Sequence, residues 1–146
     1  MLRIATIGTS MITDDFIQVV NANDQAVFVG TLSRNAERGA AFTAERGGER
    51  NFTALDELAS AADVDAVYIG SPNALHYEQA LACIAGGKHV IVEKPFCATE
   101  AQALEVFRAA EAAGVVALEQ LGRPKGIQKD LVDDALHHLP ARAVAQ

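Results

Sequence analysis

Apolar runs of strand length alternate along the chain with segments in which apolar residues recur at helical period. This alternation is typical of a parallel sheet covered by helices on both faces, because a helix makes each crossover between parallel strands. The predicted strands are 3–7, 27–32, 51–53, 65–69, 89–92 and 115–118. The predicted helices are 13–21, 33–45, 55–62, 77–85 and 100–113. The pattern therefore predicts an α/β protein with a doubly wound parallel sheet of about six strands.

The final part of the chain departs from this pattern. Residues 122–126 form a turn or linker, and apolar residues at helical spacing then follow until Pro140: Ile127, Leu131, Val132, Ala135, Leu136 and Leu139. They suffice for one amphipathic helix and are too few for a second domain. We therefore predict one domain over residues 1–121, and a linker with a C-terminal amphipathic helix over residues 122–146.

Charge and composition exclude several classes of partner. The chain of 146 residues carries 12 basic and 19 acidic side chains, a net charge of −7 at pH 7. Nucleic acids and anionic membrane surfaces select for clustered Lys and Arg, so neither is expected as a partner. No apolar run reaches the ~20 residues that span a membrane. The two cysteines, Cys83 and Cys97, lack a CxxC spacing, which favours reduced thiols in a cytoplasmic protein.

The loop after the first strand places a glycine between a strand and a helix start; it reads Gly8-Thr9-Ser10-Met11-Ile12-Thr13. Open parallel sheets bind ligands beyond the carboxyl ends of their strands, where backbone N–H groups and the helix dipole can hold a pyrophosphate. Ser10 stands where the second glycine of G-x-G-x-x-G is expected. Its side chain loosens the approach of the backbone to a pyrophosphate but adds a hydroxyl as a hydrogen-bonding group. Asp14 and Asp15 favour the helix start, yet would repel a phosphate if they pointed at it. The loop is either a phosphate site or an ordinary strand-to-helix turn.

The residues after the second strand bear on the choice of dinucleotide. Sites selective for NAD usually offer Asp or Glu to the ribose hydroxyls here, whereas this chain has Ser33 and Arg34 and no acid. A 2′-phosphate would accept a hydrogen bond from Ser33 and a charged pair of hydrogen bonds from Arg34. In the alternative interpretation Ser33 caps the next helix and Arg34 is solvated. The pattern slightly favours NADP over NAD.

Two further motifs follow the fourth and fifth predicted strands. The first is S-P-N-x-x-H, with Ser71, Pro72, Asn73 and His76, and the second is E-K-P, with Glu93, Lys94 and Pro95. Together they closely resemble the Gfo/Idh/MocA family of NAD(P)-dependent oxidoreductases. The resemblance extends over residues 1 to about 119 and implies a Rossmann-type nucleotide-binding domain. The reduced glycine motif at Gly8 is similar to that of one branch of the family.

The resemblance implies roles for individual residues. Lys94 is the implied catalytic residue, which would bind the reacting oxygen of the substrate beside the nicotinamide and help that group to lose its proton. Glu93 would hold the nicotinamide ribose, and Pro72 and Asn73 would line the middle of the cofactor. His76 would lie near the nicotinamide end. The predicted cofactor-binding set is therefore Gly8, Thr9, Ser10, Ile12, Ser33, Arg34, Ser71, Pro72, Asn73, His76, Glu93 and Lys94.

Structural interpretations stay open for the same residues. In them Lys94 is a solvated loop cation paired with Glu93, and His76 is a helix-start residue whose ring is satisfied by backbone groups. Cys83, Cys97 and His89 are interpreted as core, loop and strand-edge residues. The pair His137-His138 lies on the predicted terminal helix without the ligand cluster of a metal site, so no metal is expected.

The sequence also departs from the family, which typically carries a second α/β domain with the substrate pocket, a D-x-x-x-H acid/base pair and most of the dimer interface. Asp133 and Asp134 stand four residues before His137 and His138. Pairs at this spacing are common on exposed helix faces, and the position is too early in the chain for the family's pair. Arg123-Pro124 matches the family's next segment only in part. We therefore expect a truncated chain that binds the cofactor but turns over slowly or not at all by itself.

These observations predict an NAD(P)-dependent dehydrogenase domain that positions a nicotinamide for hydride transfer at a sugar- or cyclitol-like hydroxyl or carbonyl carbon. A small polyol or sugar substrate is expected only if a second domain is supplied, and the terminal helix offers a surface for a homo-oligomer. The alternatives are a non-catalytic nucleotide-binding or interaction module and a degenerate truncated dehydrogenase. A homoserine dehydrogenase relative would leave Glu93-Lys94-Pro95 unexplained.

Overall fold

The computed structural model describes residues 1–120 and His137, and within them six strands form one parallel sheet in the order β3-β2-β1-β4-β5-β6. The strands are β1 (Leu2–Ile7), β2 (Ala26–Leu32), β3 (Arg50–Phe52), β4 (Ala66–Ile69), β5 (His89–Glu93) and β6 (Ala117–Gln120). The helices are α1 (Met11–Asn21), α2 (Ala36–Glu45), α3 (Leu55–Ser60), α4 (His76–Ala85) and α5 (Glu100–Ala113), with a 3₁₀ turn over Asn73–Leu75. This confirms the predicted doubly wound α/β fold. The linker and terminal helix predicted over 122–146 lie outside the described residues, His137 apart.

The sheet is covered on both faces, which explains its continuous apolar strands. Alternate residues of a strand point to opposite faces, so Val67 and Ile69 of β4 pack towards α3, α4 and α5. Ala66 and Tyr68 point the other way, towards α1 and α2. All four residues are completely buried. No helix within the described residues is long and apolar enough to cross a lipid bilayer.

Most element boundaries differ from the sequence prediction by one to three residues, and the local structure explains two of these differences. Helix α2 begins at Ala36 because Asn35, not Ser33, is its N-cap: the Asn35 side chain accepts a hydrogen bond from the backbone N–H of Arg38 at 2.9 Å. Strand β6 begins at Ala117 rather than at residue 115. The chain is still leaving α5 there, because Gly114 adopts the left-handed conformation that ends the helix (φ +68°).

The strand order places a crevice at the carboxyl end of β1. Strand β1 lies between β2 and β4. Helices α1 and α4, which follow β1 and β4, pack on opposite faces of the sheet, so the two loops separate beyond their first residues. Two hydrogen bonds hold these exits together: the N–H of Gly8 donates to the carbonyl of Leu32, and the N–H of Gly70 donates to the carbonyl of Ile7, each at 3.0 Å. Three loops predicted to carry chemistry therefore start from one rigid edge.

Candidate functional site

A cleft of about 540 Å³ lies beyond the carboxyl ends of β1, β2 and β4. Its size is within the range of small-molecule sites, and its position is the one where open parallel sheets bind ligands. Seven of the predicted cofactor-binding residues line it: Gly8, Thr9, Ser10, Ser33, Arg34, Ser71 and Pro72. The other five, namely Ile12, Asn73, His76, Glu93 and Lys94, do not line this cleft.

The turn after β1 requires glycine at position 8. Gly8 has φ +102°, and a Cβ atom there would lie 2.9 Å from the carbonyl oxygen of Gly70. The backbones after β1 and β4 therefore touch, as expected of a cradle in which a ligand lies against bare peptide groups. Ser10 then caps α1, its hydroxyl accepting from the backbone N–H of Thr13 at 3.4 Å. The positive end of α1 begins at the cleft.

The acidic residues of the first turn of α1 do not line this cleft. The carboxylate of Asp14 forms an ion pair with Arg46, the residue that ends α2, with Nε and Oδ1 2.6 Å apart. The charge of Asp14 is therefore balanced by Arg46. The repulsion between Asp14 and a phosphate, which the sequence suggested, is largely neutralised. Among the residues that line the cleft there is no Asp or Glu.

The exit of β2 presents two guanidinium groups. Arg34 and Arg38 both line the cleft, both are exposed, and neither forms an ion pair within residues 1–120. The Ser33 oxygen accepts a hydrogen bond from the backbone N–H of Asn35 at 3.3 Å, which leaves its hydroxyl proton for another partner. Sequence reasoning missed Arg38, although its spacing of four residues from Arg34 was a usable signal. An anion at this exit would meet two cations and a hydroxyl.

The loop after β4 is tied to the loop after β5 through His76. The imidazole is 1% exposed, its Nε2 atom lies 2.8 Å from the carbonyl oxygen of Ser71, and its Nδ1 atom lies 2.9 Å from that of Pro95. Both nitrogens face backbone carbonyls, which is the arrangement of the alternative interpretation of His76, and its predicted place near the nicotinamide end stays a prediction. The Ser71 hydroxyl donates to the side-chain oxygen of Gln79, another lining residue that the sequence did not single out.

The carboxyl end of β5 carries Glu93, its last residue, followed by Lys94 and Pro95. Lys94 is exposed and Glu93 is half-buried, and the two form no ion pair within the described residues, so the paired-cation interpretation is wrong for this structure. The Lys94–Pro95 peptide bond is cis. Glu93 instead accepts a hydrogen bond from the Tyr68 hydroxyl, 2.6 Å from its Oε2 atom. Burial, with the neighbouring Glu93 carboxylate, raises the pKa of Tyr68, so the phenol keeps its proton and remains the donor.

The chain was compared with known proteins. Residues 2–120 match the model of the Gfo/Idh/MocA family, described as an oxidoreductase family with an NAD-binding Rossmann fold. The chain is 42% identical over 121 residues to the scyllo-inositol 2-dehydrogenase (NADP(+)) IolU of Bacillus subtilis, a match that covers 83% of this chain and 37% of the relative. It is 44% identical over 117 residues to the 1,5-anhydro-D-fructose reductase of Ensifer adhaerens, covering 80% and 35% respectively.

Solved structures agree with this assignment. The fold is similar to that of KijD10, a 3-ketoreductase from Actinomadura kijaniata in complex with TDP-benzene and NADP, with a TM-score of 0.78, 31% identity, and coverage of 93% of this chain and 43% of that one. An NAD-binding oxidoreductase from Klebsiella pneumoniae gives a TM-score of 0.73 at 34% identity, over 81% of this chain and 33% of that one. The present chain thus spans about a third to two fifths of the length of these proteins. The match over residues 2–120, together with the cleft at the switch point of the sheet, shows that the chain belongs to the Gfo/Idh/MocA oxidoreductase family and has its NAD(P)-binding Rossmann fold.

Proposed function

We propose that this chain is the dinucleotide-binding part of an oxidoreductase that uses NADP in preference to NAD and acts on a cyclitol or sugar. The observation that carries the preference is the composition of the cleft: Arg34 and Arg38 line it and no carboxylate does. The 2′-phosphate that distinguishes NADP needs cations, whereas the bare ribose of NAD is usually held by an acid. The chain as a whole carries a net charge of −7, so two guanidinium groups that form no ion pair within residues 1–120 make this strand exit locally positive.

The residues present fit the rest of a dinucleotide. Gly8 and Ser10 line the cleft where α1 begins, so the free backbone N–H groups at the start of that helix could hold a pyrophosphate. Ser10 and Ser33 offer hydroxyls along the same edge. When bound, the nicotinamide supplies or accepts the hydride, and the protein supplies orientation and electrostatics.

Glu93 and Lys94 are assigned to the nicotinamide end. Glu93 ends β5 and Lys94 follows it. Strand β5 lies next to β4 on the side of the sheet away from β2, so both residues are on the opposite side of β4 from Arg34. The exposed ammonium group of Lys94 would bind the reacting oxygen of a substrate and stabilise negative charge that develops there. The names of the relatives, a scyllo-inositol dehydrogenase and an anhydrofructose reductase, support a polyhydroxylated substrate.

The proposal is tested by titrating the purified chain with NADPH and with NADH and following the fluorescence of the reduced nicotinamide. We expect NADPH to bind about tenfold or more tightly than NADH, because one charge-assisted hydrogen bond contributes roughly 1.5–3 kcal/mol. Absence of binding by either nucleotide at millimolar concentration would overturn the dinucleotide assignment. Tighter binding of NADH would overturn the preference for NADP and leave the family assignment intact.

A further inference from the structure

Tyr68 places a phenol hydroxyl in the centre of the sheet, and the proposed function assigns no role to it. It is completely buried, and its hydroxyl has one hydrogen-bond partner within the described residues, the Oε2 atom of Glu93 at 2.6 Å. We propose that Tyr68 is a positioning residue, which holds the Glu93 carboxylate in place for the nicotinamide half of the dinucleotide. The inference rests on the proposed function, because it assigns Glu93 to that half.

The sheet register brings the two groups together. Tyr68 of β4 stands opposite Ile91 of β5, and Glu93 lies two residues beyond Ile91 on the same face. The long phenol side chain extends forward towards the carboxyl end of the sheet and meets Glu93 there. Gly70 leaves space for this course, since a Cβ atom at position 70 would lie 2.9 Å from the Cε1 atom of Tyr68.

The phenol ring has little freedom to move. Phe16 of α1 stacks on it with ring centroids 4.0 Å apart and an interplanar angle of 11°. Phe16 is itself completely buried, so the ring is held between the helix and the sheet. A hydroxyl on a fixed ring holds its acceptor in one place, whereas a hydrogen bond from a mobile side chain would not.

The hydrogen bond also leaves one carboxylate oxygen of Glu93 for a ligand. Tyr68 donates to Oε2, and Oε1 accepts no hydrogen bond within the described residues. An ionised carboxylate accepts only, so its second oxygen is suited to a ribose hydroxyl, which can donate. With one oxygen tied to the core, the other is oriented before the ligand arrives, which lowers the entropy lost on binding.

The chain contains a matched control. Tyr77 of α4 donates to the Oε2 atom of Glu105 in α5 at 2.5 Å, the same chemical pair as Tyr68 and Glu93. This hydrogen bond is exposed although Tyr77 itself is half-buried, and neither residue lines the cleft. Tyr77→Phe therefore removes the same kind of hydrogen bond without touching the proposed site.

The experiment compares the parent chain with Tyr68→Phe, Glu93→Gln, the double variant and Tyr77→Phe. Each is titrated with NADPH and with 2′,5′-ADP, which carries the adenosine and 2′-phosphate but no nicotinamide ribose. Titration with NADH and with ADP repeats the comparison without the 2′-phosphate. We expect Tyr68→Phe to weaken NADPH about three- to tenfold and to leave 2′,5′-ADP within about twofold. Tyr68→Phe should add little to Glu93→Gln, because both act through one carboxylate. Tyr77→Phe should change neither affinity.

The outcomes separate this inference from the proposed function. If the parent chain binds NADPH and Glu93→Gln weakens it while Tyr68→Phe does not, the positioning role is wrong and the proposed function stands. Equal weakening of NADPH and 2′,5′-ADP by Tyr68→Phe would mean that the variant loosens the whole domain, which also overturns the positioning role. A parent chain that binds neither NADPH nor NADH overturns the proposed function and this inference together.

Discussion

The Nδ1 atom of His76 lies 2.9 Å from the carbonyl oxygen of Pro95, and this contact joins the start of α4 to the loop that carries Lys94. The opposite nitrogen of the same ring lies 2.8 Å from the carbonyl oxygen of Ser71, which lines the cleft. One buried imidazole therefore connects the two loops that follow β4 and β5. The same Pro95–Phe96 peptide group is held from its other side, since the N–H of Phe96 donates to the side chain of Glu119 at 3.0 Å.

Replacing His76 by alanine should destabilise the domain. The change leaves at least the carbonyl group that accepts the ring N–H without its buried donor and opens a cavity, which together cost about 2 kcal/mol or more. The free energy of unfolding in urea measures this. Glu78→Ala on the same helix removes an exposed side chain and should cost less than about 0.5 kcal/mol. An equally small loss for His76→Ala would show that the ring does not hold the two loops.

Removing either guanidinium at the exit of β2 should weaken NADPH selectively. Arg34→Ala and Arg38→Ala are each expected to raise the dissociation constant of NADPH about tenfold and to change that of NADH less than about threefold. Fluorescence titration measures both. Arg108→Ala deletes an exposed charge on α5, away from the cleft, and serves as the control for net charge. Equal weakening of both nucleotides would contradict the assignment of the 2′-phosphate to this exit.

Alanine at Gly8 should damage the cradle more than alanine at Gly47. Both glycines have positive φ, +102° and +81°, so both substitutions carry the cost of a left-handed backbone, about 1 kcal/mol. At Gly47 nothing lies within 4 Å of the new Cβ atom, whereas at Gly8 it would meet the carbonyl oxygen of Gly70 at 2.9 Å. Gly8→Ala is therefore expected to lower the melting temperature further and to abolish NADPH binding, while Gly47→Ala retains it. Retained binding in Gly8→Ala would show that the dinucleotide does not pass this turn.

The stability of the domain should fall as the pH is lowered from 7.5 to 5. Burial lowers the pKa of His89 in the fold, and its Nδ1 atom accepts a hydrogen bond from the N–H of Val116 at 3.0 Å. A histidine whose pKa is lower in the folded than in the unfolded chain binds its proton more readily after unfolding. The free energy of unfolding therefore decreases as the pH falls below about 6.5 and through the folded pKa.

The variant His89→Asn isolates this contribution. Its side-chain oxygen can accept the same hydrogen bond, but it does not titrate, so its loss of stability between pH 7.5 and 5 should be smaller than that of the parent chain. Asp65 contributes at lower pH only: although burial raises its pKa, the hydrogen bonds from Arg3 hold that pKa below its ordinary value. Parallel pH profiles for the parent and His89→Asn, measured by urea unfolding, would exclude His89 as the cause.

The sequence by itself determined the order and type of the elements. Strand-length apolar runs alternate with helical periods, and a chain with that pattern buries both faces of a parallel sheet, so the strand and helix positions were predicted to within a few residues. The S-P-N-x-x-H and E-K-P motifs indicated the family, and the comparisons confirm it. These properties depend on neighbouring residues or on short motifs, so they can be predicted from the sequence alone.

Only the tertiary structure decided which side chains meet. Tyr68 belongs to an apolar run and was assigned no function; its hydrogen bond to Glu93 depends on the register of β4 against β5 and on the space left at Gly70. Ser33 and Arg38 are brought to one cleft with residues that follow β1 and β4, which are distant in the sequence. His76 engages two carbonyls from loops far apart in sequence. Such contacts arise from how strands pair and loops converge, and residue spacing does not encode the distance between two loops.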